Sequence, residues 1–305
     1  MRYSILVPAY KAAFLDGCLR SVITQDCDDW ELVVVDDASP DDLRSIVLPY
    51  LSDPRVSYRR NAVGYGAASV VGNWNECLRH ASGEFVICMG DDDVLLPGCL
   101  SRYDSLIATH PGRDAYHTRI VVIDATGAVI EDGGERPETE DAGEVLWRKW
   151  QGRRQAMGDW LLRRSTLMAH GGFAYFPYGW ASDDVTAAMT ATNTGVANCN
   201  IAGYGFRRHE QALTRAYSPE QTLGKLEAWD MVAQWVRQWL PTLPSGTRHT
   251  TDINQDLNKY IARRKRGDLY HGLTPSPTTI WRYLRADTGL CAPTVLALYL
   301  KRLFC

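Results

Sequence analysis

The sequence contains no long apolar run and no paired cysteine motif, and its charge is nearly balanced. None of its 305 residues belong to an apolar stretch of about 18 residues, the length that a membrane-spanning helix requires. The N-terminal segment MRYSILVPAYK has one basic residue before a short apolar run, too short for the core of a signal peptide. We therefore expect no spanning segment, and any membrane contact to be peripheral.

Composition excludes several other classes of protein. The net charge of −3 offers no general attraction for nucleic acid, so no nucleic-acid partner is expected. The eight cysteines show no CxxC spacing and several lie in apolar segments, which favours reduced thiols in a cytoplasmic protein. With 45% hydrophobic and 23% charged residues, a soluble globular protein with a large core is expected.

Short apolar runs alternate with helical patterns over roughly the first 100 residues. The segments YSILVPAY, WELVVVDD, RVSYRR and EFVICMG are typical of strands, and FLDGCLRSVITQ and SVVGNWNECLRHA have helical spacing. This alternation predicts an α/β fold with a Rossmann-like, mainly parallel sheet flanked by helices. Ligands bind beyond the carboxyl ends of strands in such sheets, so the residues that follow each strand are candidates for a site.

The chain changes character after about residue 217. The segment TLGKLEAWDMVAQWVRQWL predicts an amphipathic helix whose tryptophans, from Trp229 to Trp239, favour packing against a core. The final segment TVLALYLKRLFC combines apolar and basic residues, a pattern that suits peripheral contact with an anionic membrane.

Acidic residues follow two of the predicted strands. Asp91, Asp92 and Asp93 come directly after EFVICMG and are suited to hold Mg²⁺ or Mn²⁺, although a solvated turn or a helix cap would also use aspartate. Asp36 and Asp37 follow WELVVV, either as a turn or as acceptors for a nucleotide base or ribose. Both groups are expected on the same rim of the sheet.

Two further clusters lie later in the chain. Asp183 and Asp184 precede a helical pattern, where an N-cap is the simplest interpretation. Arg207 and Arg208 directly precede His209, and guanidinium groups bind phosphate oxygens in a bidentate manner. A histidine alone would more often be structural than a ligand.

The stretches SILVPAYKAAFLDGCLRSVITQDCDDWELVVVDDASPDD and NAVGYGAASVVGNWNECLRHASGEFVICMGDDDVLLPGCL resemble the nucleotide-sugar half of the family 2 glycosyltransferases, inverting enzymes with the GT-A fold. The similarity covers residues 2–215. It implies a glycosyltransferase domain over residues 1–215, with a nucleotide-sugar half at 1–115 and an acceptor half at 116–215. A helical extension over 216–305 completes the predicted organisation.

The resemblance also implies a role for each candidate residue. The expected partners are a nucleoside diphosphate sugar, preferably a UDP-sugar, and a glycan or lipid-linked acceptor, with Mn²⁺ or Mg²⁺ as cofactor. Polysaccharide biosynthesis at the inner face of the membrane is the expected setting. The implied donor-binding residues are Pro8, Tyr10, Asp37, Asp91, Arg207 and Arg208; the metal ligands are Asp92, Asp93 and His209; the catalytic base is Asp184; and Trp160 and Asp183 lie on the acceptor side.

One departure from the family pattern lies at Gly90, where many members have an acid. It leaves open which two of the three aspartates contact the metal, and Asp92 is favoured as the direct ligand. The same resemblance leaves His209 two roles, either joining the metal or holding the leaving diphosphate.

Three other functions fit parts of the sequence. A sugar nucleotidyltransferase should carry a glycine-rich phosphate loop after the first strand, and VPAYKAAF has none. A receiver-type signalling module should carry its acidic pair after the first strand, where this chain has Pro8, Ala9 and Tyr10. A catalytically inactive, glycan-binding relative remains possible, but it would leave the retention of three acidic clusters unexplained.

Overall fold

A computed structural model of the chain describes residues 1–210, 217–273, 277–286 and 288–303. The predicted domain boundary between residues 215 and 216 lies outside the described residues. The described strands are β1 (Tyr3–Ala9), β2 (Trp30–Asp36), β3 (Val56–Arg60), β4 (Phe85–Cys88), β5 (Val94–Leu95), β6 (Ala115–Ile123), β7 (Val129–Asp132), β8 (Thr139–Glu140), β9 (Trp160–Arg163) and β10 (Val196–Arg207).

Helices cover both faces of the sheet that these strands form. Those described are α1 (Leu15–Ile23), α2 (Leu43–Val47), α3 (Val70–His80), α4 (Cys99–Thr109), α5 (Ala142–Trp150), α6 (Arg164–Ala169), α7 (Ser182–Thr190), α8 (Pro219–Trp239), α9 (Thr250–Gly272), α10 (Pro277–Arg285) and α11 (Ala292–Leu303). None of the described helices is both long and apolar enough to cross a membrane.

The strands form one mixed sheet in the order β3-β2-β1-β4-β9-β6-β10-β5, with β7 on β6 and β8 on β10. The first four strands in this order are parallel to one another, and β6 and β10 pair in parallel, whereas β9 and β5 run antiparallel to their neighbours. The predicted mainly parallel α/β sheet is confirmed. The strands β1, β2 and β4 are apolar on both faces, because helices cover both faces of a parallel sheet of this kind.

The core lies on both sides of the sheet. Because side chains alternate along a strand, Ile5 and Val7 of β1 pack with α1, α2 and α4, while Leu6 packs in the cluster that includes residues of α3, α5 and α7. Trp229, Val232 and Val236 of α8 belong to this second cluster. The predicted packing role of the tryptophan stripe is therefore confirmed, and α8 joins the main core.

The helix α8 begins where its sequence specifies. Ser218 accepts a hydrogen bond from the backbone N–H of Gln221, and the Gln221 side chain accepts one from the Ser218 N–H, while Pro219 occupies the first turn. Leu226 of α8 and Leu269 of α9 form a smaller apolar cluster with Tyr283 of α10 and Val295 of α11. The last two helices, α10 and α11, therefore pack against α8 and α9.

Candidate active site

A cleft of about 660 Å³ opens at the carboxyl ends of β1, β2 and β4. The backbone N–H of Asp37 donates to the carbonyl of Ala9 at 2.9 Å, and that of Met89 donates to Leu6 at 3.0 Å, so the strand ends are held side by side. Predicted site residues that line the cleft are Pro8, Tyr10, Asp37, Asp91, Asp92, Asp93, Asp183, Asp184 and Arg207.

Asp91 joins the turn after β4 to the turn after β1. Its Oδ2 accepts hydrogen bonds from the backbone N–H groups of Tyr10, at 2.6 Å, and Lys11, at 2.7 Å. Burial raises the pKa of Asp91 to about 6, and the charge of Asp92 acts in the same direction. The backbone of Lys11 is thereby fixed beside the acidic cluster.

Asp92 lies between two basic side chains. Its Oδ2 accepts a hydrogen bond from Lys11 Nζ at 2.7 Å and lies 2.8 Å from Nε2 of His209. Burial acts to raise the pKa of Asp92, but the Lys11 ammonium and the His209 contact outweigh it and lower that pKa below its ordinary value. Asp92 is therefore held as a charged carboxylate.

Asp93 connects the same turn to β10. Its Oδ1 accepts from the backbone N–H of Arg207 at 2.7 Å, and its Oδ2 accepts from the Tyr204 hydroxyl. Burial and the neighbouring charge of Asp92 raise its pKa well above the ordinary value. These two hydrogen bonds anchor β10 to the turn, and the role of Asp93 as a metal ligand stays a prediction.

Asp37 organises the loop that follows β3. Its Oδ1 accepts from the Asn61 side chain at 3.0 Å and from the Tyr65 N–H at 2.8 Å, and its Oδ2 accepts from the Gly66 N–H at 2.9 Å. A Cβ on Gly64 would lie 2.4 Å from the carbonyl oxygen of Asp37, so only glycine allows this close approach. Pro8 and Tyr10 line the same cleft as Asp37, and their place in a base pocket stays a prediction.

Asp183 and Asp184 lie in the first turn of α7. Oδ1 of Asp184 lies 2.9 Å from Lys149 Nζ and accepts a hydrogen bond from Gln155 Nε2 at 3.1 Å. Asp183 is half-buried, and burial, followed by the charge of Asp184, raises its pKa to about 7. Although burial opposes it, Asp184 and Asp183 together raise the pKa of Lys149, which keeps the ammonium charged beside them.

The two predicted diphosphate arginines do not occupy equivalent positions. The Arg207 guanidinium donates to the carbonyls of Asp92 at 2.7 Å and Asp124 at 2.9 Å and lies 4.7 Å from the centre of the Phe14 ring. Arg208 donates to Glu131 at 2.6 Å and is not among the residues lining the cleft. Arg208 thus forms an ion pair outside the cleft lining, whereas Arg207 lines the cleft while it binds backbone carbonyls, and donor binding by these arginines stays a prediction.

Trp160 is fully buried, in β9, with its ring 4.9 Å from that of His117. A side chain with no exposed surface cannot contact an acceptor, so the prediction of Trp160 as an acceptor-side residue is wrong. Trp180 lines the cleft instead, just before α7. Its indole N–H donates to Asp268 of α9 at 2.9 Å.

Sequence reasoning missed several side chains that line the cleft. Lys11 directly follows Tyr10, so its position after β1 was a usable signal. Nothing near Lys149 in the sequence indicates its contact with Asp184, because α5 and α7 meet only through tertiary packing. The cleft-lining residues that the sequence did not predict as site residues include Lys11, Lys149, Trp180, Trp229 and Arg264.

The donor atoms near Asp92 suit a divalent cation that also binds a phosphate ligand. Among the residues that the structure describes, no three His, Cys, Asp or Glu side chains could hold a metal ion by themselves. Asp92 and His209 supply an oxygen and an imidazole nitrogen at one point, a donor set that suits Mn²⁺. Metals with so few protein ligands are completed by substrate phosphates and water. The residues therefore fit a cation held jointly with a diphosphate.

Known sequences resemble the first part of the chain. A profile described as glycosyl transferase family 2 matches residues 4–176. The Campylobacter jejuni protein named GalNAc(5)-diNAcBac-PP-undecaprenol beta-1,3-glucosyltransferase is 38% identical over 102 residues, 33% of this chain and 32% of that protein. The Escherichia coli UDP-Glc:alpha-D-GlcNAc-diphosphoundecaprenol beta-1,3-glucosyltransferase WfgD is 35% identical over 105 residues, 34% of this chain and 40% of its own length. The match thus spans well under half of either relative.

Solved structures resemble nearly the whole chain. S. aureus TarS, residues 1–349 in complex with UDP-GlcNAc, has a TM-score of 0.67 at 17% identity, covering 99% of this chain and 90% of that one. The mannosyltransferase PcManGT from Pyrobaculum calidifontis, in complex with GDP-Man and Mn²⁺, has a TM-score of 0.55 at 16% identity, covering 99% and 80%. These likenesses confirm the predicted fold.

Proposed function

The chain belongs to glycosyltransferase family 2, and from this premise we propose that it transfers a sugar from a UDP-sugar to a hydroxyl group of a lipid-linked glycan, with inversion at the anomeric carbon. One observation carries the proposal: the carboxylates of Asp37, Asp91 and Asp92 share a single cleft with the Asp183–Asp184 pair. A donor and an acceptor can therefore meet between the two groups.

The choice of substrates rests on the relatives. The names of the two curated relatives specify diphosphoundecaprenol-linked acceptors, and one of them specifies UDP-Glc. The TarS structure contains UDP-GlcNAc, whereas PcManGT contains GDP-Man and Mn²⁺. We favour UDP for this chain because two of these names specify a UDP-sugar, and Mn²⁺ because the Asp92 carboxylate suits that ion.

In the proposed reaction, Asp37 and Tyr10 hold the nucleoside and Asp91 contacts its ribose. A cation bound at Asp92 would neutralise the diphosphate as negative charge develops on it. Oδ2 of Asp184 takes the proton of the acceptor hydroxyl while the oxygen forms its bond to the anomeric carbon. The bond from that carbon to the diphosphate oxygen breaks on the opposite face, and the electron pair leaves with the nucleoside diphosphate.

Lys149 and Gln155 have a positioning role in this scheme. Both contact Oδ1 of Asp184, so they orient the carboxylate and leave its other oxygen, Oδ2, for the acceptor. Trp180 supplies an aromatic face on the same side of the cleft, and such faces suit sugar rings.

A donor screen tests the proposed reaction. The full chain, incubated with a lipid-linked acceptor, is expected to release UDP from a UDP-sugar in Mn²⁺ and to lose at least about 100-fold in rate with chelator, since a bound metal supplies several kcal/mol of charge stabilisation. Nucleoside diphosphate release is measured for UDP-, GDP- and dTDP-sugars in parallel. Release from none of them would refute the transfer, and full activity in chelator would refute the metal dependence.

We also propose that the C-terminal helices contact an anionic membrane surface, where a lipid-linked acceptor would lie. Four large apolar side chains are exposed on α10 and α11, and Lys301 and Arg302 occupy the last turn of α11. The exposed residues are Trp281, Leu284, Leu296 and Leu300.

The double substitution Leu296→Ser and Leu300→Ser is expected to lower binding to anionic vesicles by about tenfold, because both leucines are about half exposed and each buries apolar area on docking. Co-sedimentation with phosphatidylglycerol vesicles measures it. Leu48→Ser, at a leucine of similar exposure in the nucleotide-binding half, is the matched control and should change nothing. Equal sedimentation of wild type, the double variant and Leu48→Ser would refute the proposed membrane contact.

A further inference from the structure

The acidic cluster already contains a cation supplied by the chain itself. Lys11 Nζ lies 2.7 Å from Oδ2 of Asp92, and the backbone N–H of Lys11 is held at 2.7 Å by Asp91. One aspartate therefore fixes the position of the lysine and the next receives its ammonium group. The pair is largely shielded, with 26% of the Lys11 side chain and 16% of the Asp92 side chain exposed.

The other oxygen of Asp92 faces Gly90. A Cβ on Gly90 would lie 2.6 Å from Oδ1 of Asp92, so the absence of a side chain at this position gives the carboxylate the room it occupies. An acidic side chain at residue 90 would both collide with this carboxylate and repel it. Gly90 and Lys11 thus fix the same carboxylate from opposite sides.

His209 shares the oxygen that Lys11 uses. Its Nε2 lies 2.8 Å from Oδ2 of Asp92, and its ring packs 4.9 Å from that of Phe14. A divalent cation bound by Asp92 and His209 would have to approach that oxygen, and the Lys11 ammonium already lies there. Two cations cannot share the position without strong repulsion.

We propose that Lys11 is a resident counter-ion that keeps Asp92 from binding a divalent cation until a donor diphosphate arrives. The diphosphate offers the ammonium a second set of anionic oxygens, so metal and donor enter together while Lys11 moves from Asp92 to phosphate. The metal-exclusion step depends only on the Lys11–Asp92 geometry. The release step rests on the proposed function, because that function supplies the diphosphate.

Direct titration with Mn²⁺ tests the exclusion step without measuring activity. Free Mn²⁺ is followed by electron paramagnetic resonance with the full chain and no nucleotide. Lys11→Met is expected to tighten Mn²⁺ binding by about tenfold or more, because it removes the competing positive charge and leaves Oδ2 of Asp92 in contact with His209 only. Lys11→Arg retains the charge and should stay close to wild type. Lys259→Met, at an exposed lysine of α9, is the matched control and should leave the affinity unchanged.

The same titration with UDP or GDP present tests the release step. The nucleotide supplies phosphate ligands to the ion in both proteins, but only in wild type does it also draw the Lys11 ammonium away from Asp92. It is therefore expected to tighten Mn²⁺ binding to wild type by about tenfold more than to Lys11→Met. Asp92→Asn should abolish the tight site in every protein. Thermal unfolding of each variant confirms that it is folded.

Equal Mn²⁺ affinities for wild type and Lys11→Met without nucleotide would overturn the proposal, as would Mn²⁺ binding that survives Asp92→Asn. An equal nucleotide effect in both proteins would overturn the release step. A negative donor screen together with tighter binding by Lys11→Met would instead refute the sugar transfer and leave the counter-ion role intact.

Discussion

Replacement of Asp184 by asparagine is expected to lower kcat by about 10²–10⁴-fold, the usual contribution of a positioned general base. Asparagine has nearly the same shape and its amide oxygen can still accept from Lys149 and Gln155, so the first turn of α7 should keep its structure. The variant lacks only the capacity to take the acceptor's proton. Steady-state kinetics with the donor found in the screen measure the loss, and UDP affinity by calorimetry should be unchanged.

Asp183→Asn is the matched control for this prediction. Asp183 is also a carboxylate in the cleft, and burial and the Asp184 charge raise its pKa to about 7. We expect this variant to lose much less activity than Asp184→Asn. A larger loss in Asp183→Asn would transfer the role of base to Asp183, and weakened UDP binding in Asp184→Asn would place that residue on the donor side.

Trp229→Ala is expected to lower the free energy of unfolding of the whole chain by about 3–5 kcal/mol, the range measured for removal of large aromatic side chains from cores. Trp229 is 2% exposed and packs edge-on against Tyr260 with ring centres 5.9 Å apart. Its indole N–H also donates to Asp268 at 2.6 Å, so alanine leaves a cavity and removes one of the two indole hydrogen bonds that Oδ2 of Asp268 accepts.

Urea unfolding followed by circular dichroism measures this loss. Trp281→Ala removes the same side chain from a position that is 58% exposed and should change stability by less than about 1 kcal/mol. Since Trp229 lies in the core cluster that includes Leu6 of β1, the transition is expected to remain single and to shift as a whole. A second transition, with only one of the two affected by Trp229→Ala, would mean that the extension unfolds on its own.

The sheet could be predicted because its strands carry their own signal. Runs such as SILV and LVVV are buried on both faces, and in a parallel sheet this requirement produces continuous apolar segments. The acids after β2 and β4 were placed on one rim by the same argument, and the structure brings Asp37 and Asp91 into one cleft. The apolar runs predict the strands, and the parallel topology predicts that the acids at the ends of β2 and β4 lie close together.

The acceptor side was harder to predict, because aromatic residues serve cores and cleft walls equally well. Trp160 of β9 is fully buried, whereas Trp180 is partly buried and lines the cleft. The partner of Lys11 was equally hidden, since Asp92 lies 81 residues later in the chain. Such pairings depend on side-chain direction after folding, which hydrophobic periodicity does not encode.

Asp268 links the cleft to the far side of α9. Its Oδ2 accepts the indole N–H of Trp180 and that of Trp229, so the orientation of a cleft wall is specified by a helix that lies behind it. Substitution of Asp268 would therefore reorient the wall proposed for the acceptor without changing any residue that lines the cleft.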